Sequence, residues 1–189
     1  MIETYNINLD QAKESLIKKE KQINKYFEIM NEFNSNSFFI NDEFKTKFKG
    51  FYRIRQRSKD FYDLYFNYLI ENKENNDLNF EEVLKYFYYN TNKFEKSFGS
   101  KLLATINPNM PVWDSIVLEK MGLKEPNAND VDRMEKLIKL YETIILWYDE
   151  YLEKENTKSS IDLFDSVFPN NNITNIKKVD LILWSIRKQ

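Results

Sequence analysis

The chain contains no cysteine and no histidine. Lack of cysteine excludes disulfides and thiolate metal sites. Lack of histidine as well excludes the usual zinc sites, Ser-His-Asp triads, thiol proteases and histidine-dependent ribonucleases. Catalysis is left to carboxylate, lysine, tyrosine or serine side chains, or to a hard metal held by oxygen. Glycine and proline are scarce, with three and four copies. Sheet-rich folds recruit both for tight turns, so the shortage favours long helices joined by few loops. No run approaches the roughly 20 apolar residues that span a bilayer. The polar start Met-Ile-Glu-Thr-Tyr has no apolar stretch behind it, so no membrane contact is expected and the expected location is cytoplasmic.

What is present is a globular balance: 189 residues, 42% hydrophobic and 31% charged. That is enough for one domain with a substantial core. A single all-α domain over 1–189 is expected, with an N-terminal helix and loop in 1–40. The net charge of −2 means that contact with nucleic acid needs a local patch.

Hydrophobic periodicity places the helices. Leu9, Leu16, Ile23 and Met30 recur every seven residues over 9–34, and Ala12, Lys19, Tyr26 and Phe33 form a second seam that Lys19 interrupts. That stripe packs onto the chain's own core or serves a partner helix or homodimer through 9–33. Asn34 to Ser37 reads as a loop. Asn41-Asp42 caps a helix bearing Phe44, Phe48 and Phe51, and a second helix near 59–72 presents Tyr62, Tyr65, Phe66 and Leu69. Between them Lys and Arg alternate with period two, a strand signal against the helical phenylalanine spacing; helix is preferred, with a short extended piece near Tyr52–Gln56. Asn79 opens a helix through Leu84 and Phe87 in a loose capping-box pattern. Another begins near Gly99 and stops at Asn107-Pro108. A short one, capped at Asp114-Ser115, ends at Gly122.

The longest helix is expected over 130–153, with Val131, Met134, Leu137, Ile138, Tyr141, Ile145, Tyr148 and Leu152 on one apolar face. Ser160 is expected to cap a helix that Pro169 terminates. Thr174 caps the last, with Ile176, Val179, Ile182, Leu183 and Ile186 inward.

Three segments carry chemistry. From Lys45 to Lys59 there are seven basic residues (Lys45, Lys47, Lys49, Arg53, Arg55, Arg57 and Lys59) and no acid. Such a stripe neutralises phosphates in a salt-dependent way, or is simply a solvated helix face. Around Ser97, Phe98, Gly99 and Ser100, a turn followed by a helix start offers backbone N–H groups to phosphate. Lys101 follows in the first turn, where the helix dipole lowers a lysine pKa and so favours nucleophilic attack; the alternative is an ordinary surface lysine. In the loop Asn107 to Ser115, stiffened by two prolines, Asp114 caps a helix or also faces a reaction centre. Asp162 and Asp165 are too poor a set for a metal site, and no metal or cofactor is expected.

Taken together, Phe51-Tyr52-Arg53-Ile54-Arg55, Ser100-Lys101-Leu102-Leu103, Ile106-Asn107-Pro108, Pro111-Val112-Trp113-Asp114-Ser115 and Lys178-Val179-Asp180-Leu181-Ile182-Leu183-Trp184 resemble the helix-hairpin-helix DNA glycosylase superfamily, in particular proteins similar to bacterial 8-oxoguanine DNA glycosylase. The resemblance covers most of 44–187, with the strongest motif matching in 97–115. It implies a two-lobed helical bundle with a hairpin-containing lobe in 80–122. It also implies a lysine nucleophile at Lys101, an aspartate partner at Asp114 and damaged duplex DNA as substrate, its target base flipped out. Phe98 and Trp113 are then candidates for wedge or stacking residues, or for core packing. The chain departs from the pattern in three places: Ser97 replaces the first hairpin glycine, Glu95-Lys96 replaces Leu-Pro, and the Lys101–Asp114 segment is short. A relative that binds nucleic acid or a protein without catalysis, for instance in genome defence, is the alternative.

Overall fold

The computed structural model describes residues 5–35, 39–54 and 56–186, with Ile116 described by its backbone alone. Among them stand ten helices and no strand, the all-α fold that the shortage of turn residues leads one to expect.

The heptad stripe is divided between α1 (Leu9–Lys18) and α2 (Glu20–Phe33). The break falls at Lys19, the one charged residue in the apolar seams, where φ is −104° and ψ is 6°. The kink allows both halves to turn inward: Ala12, Leu16, Ile23, Tyr26, Met30 and Phe33 are all buried in the chain's own core. α2 packs on α3 (Asp42–Tyr52). The alternating basic segment is helical as far as Tyr52, because Phe44 and Phe48 need one face to meet Phe66 of α4 (Lys59–Glu71), whose ring lies 5.6 Å from Phe48. Arg53 then closes α3 in the left-handed region at φ 53°.

α5 (Phe80–Thr91) opens on a full capping box, with Asn79 Oδ1 accepting from the Glu82 N–H at 3.0 Å and Glu82 Oε2 from the Asn79 N–H at 3.3 Å. α6 (Lys96–Ile106) starts a turn earlier than expected. The Gly99 N–H donates to Glu95 O at 2.7 Å, inside the helix, so Gly99 does not form a turn. Its lack of a side chain serves packing instead: a Cβ there would sit 3.0 Å from Val83 Cγ1 on α5. α7 (Ser115–Lys120) ends as expected at Gly122, with φ 66° and the Leu123 N–H donating to Leu118 O at 2.9 Å.

α8 (Arg133–Leu152) packs against α5, α9 (Glu155–Val167) and α10 (Asn175–Ser185). Serving three neighbours turns its buried face toward Ile144, Trp147 and Tyr151 as well as Leu137, Tyr141 and Tyr148; Val131 precedes the helix and is exposed. Ser160 does not cap α9 but lies buried within it, its hydroxyl donating to Asn156 O at 2.7 Å. Thr174 does cap α10, accepting from the Lys177 N–H at 3.3 Å. This last helix is surrounded by α1, α7, α8 and α9 and is buried almost all round, charged residues included. No helix among the described residues is long and apolar enough to cross a membrane.

Alanine is about 1 kcal/mol better than glycine within a helix, but overpacking costs about 1–3 kcal/mol, and the β-branched Val83 has little freedom to yield. Gly99→Ala is therefore expected to lower stability by about 1 kcal/mol in denaturant unfolding, with Val83→Ala/Gly99→Ala losing less than the sum of the single variants. A Gly99→Ala protein more stable than the parent would remove close packing as the reason for this glycine.

Candidate functional site

The loop from Asn107 to Asp114 is tied down by three helices. Thr174, at the start of α10, donates its hydroxyl to Pro108 O at 2.7 Å, and Tyr141 of α8 donates to Pro111 O at 2.7 Å. Ser100 of α6 accepts the Trp113 N–H at 2.8 Å in a fully buried position. The tethered backbone delivers Asp114 to the start of α7, where its carbonyl accepts the Leu118 N–H at 3.0 Å.

Asp114 and Lys101 line one pocket of about 220 Å³. Lys101 rises from the second turn of α6, beyond the reach of the helix-terminal field, which falls off within the first turn. Its ammonium donates to Tyr52 O at 3.2 Å and lies 5.3 Å from the Phe98 ring centre. Arg53, Phe51 and Trp184 also contribute to the walls, the two rings 6.5 Å apart at 45°.

The remaining wall is α10, which presents Lys177, Asp180, Leu181 and Trp184 to the pocket. The spacing of three, four and seven residues puts them on one helix face. Lys177 Nζ and Asp180 Oδ2 are 2.7 Å apart, with side chains only 2% and 11% exposed. Burial works against the Lys177 charge, but Asp180, Tyr52 and Tyr26 together offset it and hold its pKa above the ordinary lysine value. Burial pushes the Asp180 carboxyl up despite Lys177, and Asp114 adds to the push while Lys101 opposes it. Behind them the Tyr148 hydroxyl is fully buried near Asp180 and Asp114, without a hydrogen bond of good geometry. Burial, then those carboxylates, raise its pKa well above the usual tyrosine value.

Other residues singled out from sequence stand elsewhere. Lys45 and Lys49 lie over the Phe66 and Tyr62 rings of α4, at 5.8 and 4.6 Å, whereas Lys47 points away to Glu43 at 2.9 Å and Glu32 at 3.4 Å. Arg57 pairs with Glu95 at 2.8 Å and rests against Phe98, 4.9 Å from its centre. Lys59 is exposed at the start of α4, and Arg55 lies outside the described residues. The basic run is thus split: a period of two fans Lys45, Lys47 and Lys49 around α3, while Arg53, Arg57 and Lys59 lie beyond its end. Gly99 and Ser100 are buried and their donors are committed inside α6, while Ser97, partly buried, accepts the Ser100 hydroxyl at 3.1 Å. Trp113 belongs to the core, stacked 5.8 Å from Phe80, its indole N–H donating to Glu125 at 3.0 Å. Phe98 is half-buried, 5.8 Å from Phe61.

Sequence reasoning missed Lys177 and Tyr148 as parts of the site, and read Phe51, Tyr52, Asp180 and Trp184 only as motif letters. The signal was there as an interruption: Lys177, Asp180 and Trp184 share a face on a helix that is otherwise apolar in its middle, apart from Lys178. A larger cleft of about 480 Å³ between α2 and the 167–174 loop is lined by asparagines and one carboxylate, Glu20, with no lysine or arginine. Among the described residues no group of three or more Asp or Glu could hold a metal ion.

The fold and site therefore define an all-α protein with a small mixed-charge pocket lined by two lysines, an arginine and two aspartates. Comparison with known proteins finds no matching family model, no similar curated protein and no similar solved structure.

Ser100→Ala leaves the buried Trp113 N–H without its acceptor, which costs about 1–3 kcal/mol. That loss is expected in denaturant unfolding, and a change within experimental error would mean that the Ser100 bond does not hold the loop.

Proposed function

We propose that the chain is a DNA glycosylase-like enzyme that excises a damaged base, with Lys101 as nucleophile and Asp114 as its electrostatic partner. The observation that carries this reading is the meeting of Lys101 and Asp114 in one pocket although they come from different segments. Among the described residues Lys177 is the only other lysine lining that pocket, and its ion pair with Asp180 keeps it charged and unsuited to attack.

In this reaction the neutral Lys101 amine attacks C1′ of the flipped nucleotide. The glycosidic bond breaks, its electron pair leaves with the base, and the Asp114 carboxylate opposes positive charge developing on the sugar. The amine–sugar adduct opens to a Schiff base, from which strand cleavage follows. Phe51 and Trp184 offer aromatic surfaces beside the entering base. Arg53 at the pocket wall and the exposed Lys59 supply phosphate contacts, as do the N–H groups that begin α6. Damaged duplex DNA is the partner this chemistry requires, in the cytoplasm, for repair or genome defence.

A second reading, a helical protein that binds nucleic acid or another protein without catalysis, is favoured by Gly99 lying inside α6, where it does not form the hairpin turn of the glycosylase pattern.

Incubation with duplexes carrying single damaged bases or an abasic site, under borohydride, separates the two. A covalent protein–DNA adduct is expected, lost in Lys101→Gln and kept in Lys13→Gln on the exposed side of α1. If a folded protein gives no adduct and releases no base from any lesion, the catalytic reading fails and the binder stands.

A further inference from the structure

The Lys177–Asp180 pair is costly to bury and takes no part in the chemistry above. Desolvating two charges offsets most or all of their attraction, so well-packed apolar residues at such positions are often as stabilising. The pair thus needs a reason other than stability. Its location supplies one: both residues line the pocket, on the same face of α10 as Leu181 and Trp184.

α10 also provides an internal comparison. Lys178 forms a second ion pair, with Asp165 of α9 at 2.7 Å, but neither of these residues borders the pocket. Two buried lysines, adjacent in sequence, are matched by two aspartates, and only one pair faces the site.

We propose that the Lys177–Asp180 pair is a positioning element of the site, in which Lys177 fixes the Asp180 carboxylate where it acts on Lys101 and Asp114 and so governs the charge carried by the Lys101 amine. Among the described residues, the groups facing Lys101 include the Tyr52 carbonyl at the end of α3 and Arg53 just beyond it, the Phe98 ring on α6, Asp114 from the tethered loop, Lys177 and Asp180 from α10, and the buried Tyr148 behind the two carboxylates. Asp180 interacts electrostatically with both Lys101 and Asp114. Lys177 is directed toward Asp180, Tyr52 and Tyr26, lying 5.4 Å from the Tyr26 ring centre. Asp180 is therefore the member of the pair that speaks to the nucleophile. Its negative charge favours the protonated amine, and Lys177 opposes the burial that works against that charge and holds the carboxylate in place. The purpose assigned to the pair rests on the reading of Lys101 as nucleophile, but the electrostatic coupling does not.

The test is competitive labelling of the intact protein by acetic anhydride across pH, with acetylation of Lys101 read by peptide mass spectrometry. Asp180→Asn is expected to move the Lys101 midpoint to lower pH, giving about tenfold more labelling at a fixed pH below the midpoint, the effect of removing one charge at this range. Because Asp180→Asn leaves a buried lysine without its ionic partner, Lys177→Met/Asp180→Leu is the companion variant. It keeps the packing and is expected to shift the midpoint in the same direction. Lys178→Met/Asp165→Leu, the pair away from the pocket, is expected to leave Lys101 where it is. Near-ultraviolet circular dichroism establishes that each variant is folded. A Lys101 midpoint in folded Lys177→Met/Asp180→Leu that coincides with the parent, or an equal shift in the Lys178→Met/Asp165→Leu control, overturns the proposal. No DNA enters the labelling. Failure of the borohydride adduct would end the glycosylase reading, whereas an unmoved midpoint beside an intact adduct would end this inference alone.

Discussion

The architecture depends on the burial of α10, and that burial depends on matching charge with charge inside the core. A helix surrounded by four others would ordinarily be apolar on every side. Lys177 and Lys178 lie instead among packed side chains, and each is tolerable only because an aspartate oxygen stands 2.7 Å from its ammonium. Without those partners each ammonium would be an uncompensated buried charge, among the most expensive defects a core can hold. The partners differ in origin: Asp180 is on the same helix, whereas Asp165 comes from α9 and locks two helices together.

That central helix also organises the site. Its capping residue Thr174 holds the loop at Pro108, and its pocket-facing side carries the Lys177–Asp180 pair. The loop is further gripped by Tyr141 and Ser100. Lys101 and Asp114 thus meet because α6, α8 and α10 each fix part of the path between them. Charges held this close in a partly enclosed pocket interact more strongly than they would in open water, so small changes in the geometry of its five charged residues shift the balance among them.

Much of the local structure was legible in the residues. Asn79 with Glu82, Thr174, and Gly122 marked helix ends correctly because capping is a contest among near neighbours in sequence. The apolar stripe over 9–34 was readable too, but as one helix with a seam interrupted at Lys19, whereas the structure divides it there into two. Errors arose where a competing local bond, or packing between helices, decided the outcome. Ser160 resembles a cap but bonds back along α9, and Gly99 resembles a turn but admits Val83 of a neighbouring helix. The basic run looked like a stripe, yet on a helix Lys47 points away from Lys45 and Lys49 and finds its own acids.

By itself the sequence determined an all-α fold, most helix limits, and the exclusion of every chemistry that needs cysteine or histidine. These follow from composition and from periodicity, which act over a few residues. Tertiary structure alone decided which lysines and aspartates share a pocket, which tryptophan is core and which borders the site, and which buried charge answers another. Convergence in space depends on how helices far apart in the chain pack, and the cost of burying a charge depends on what stands opposite it. Neither quantity is carried by any short run of residues.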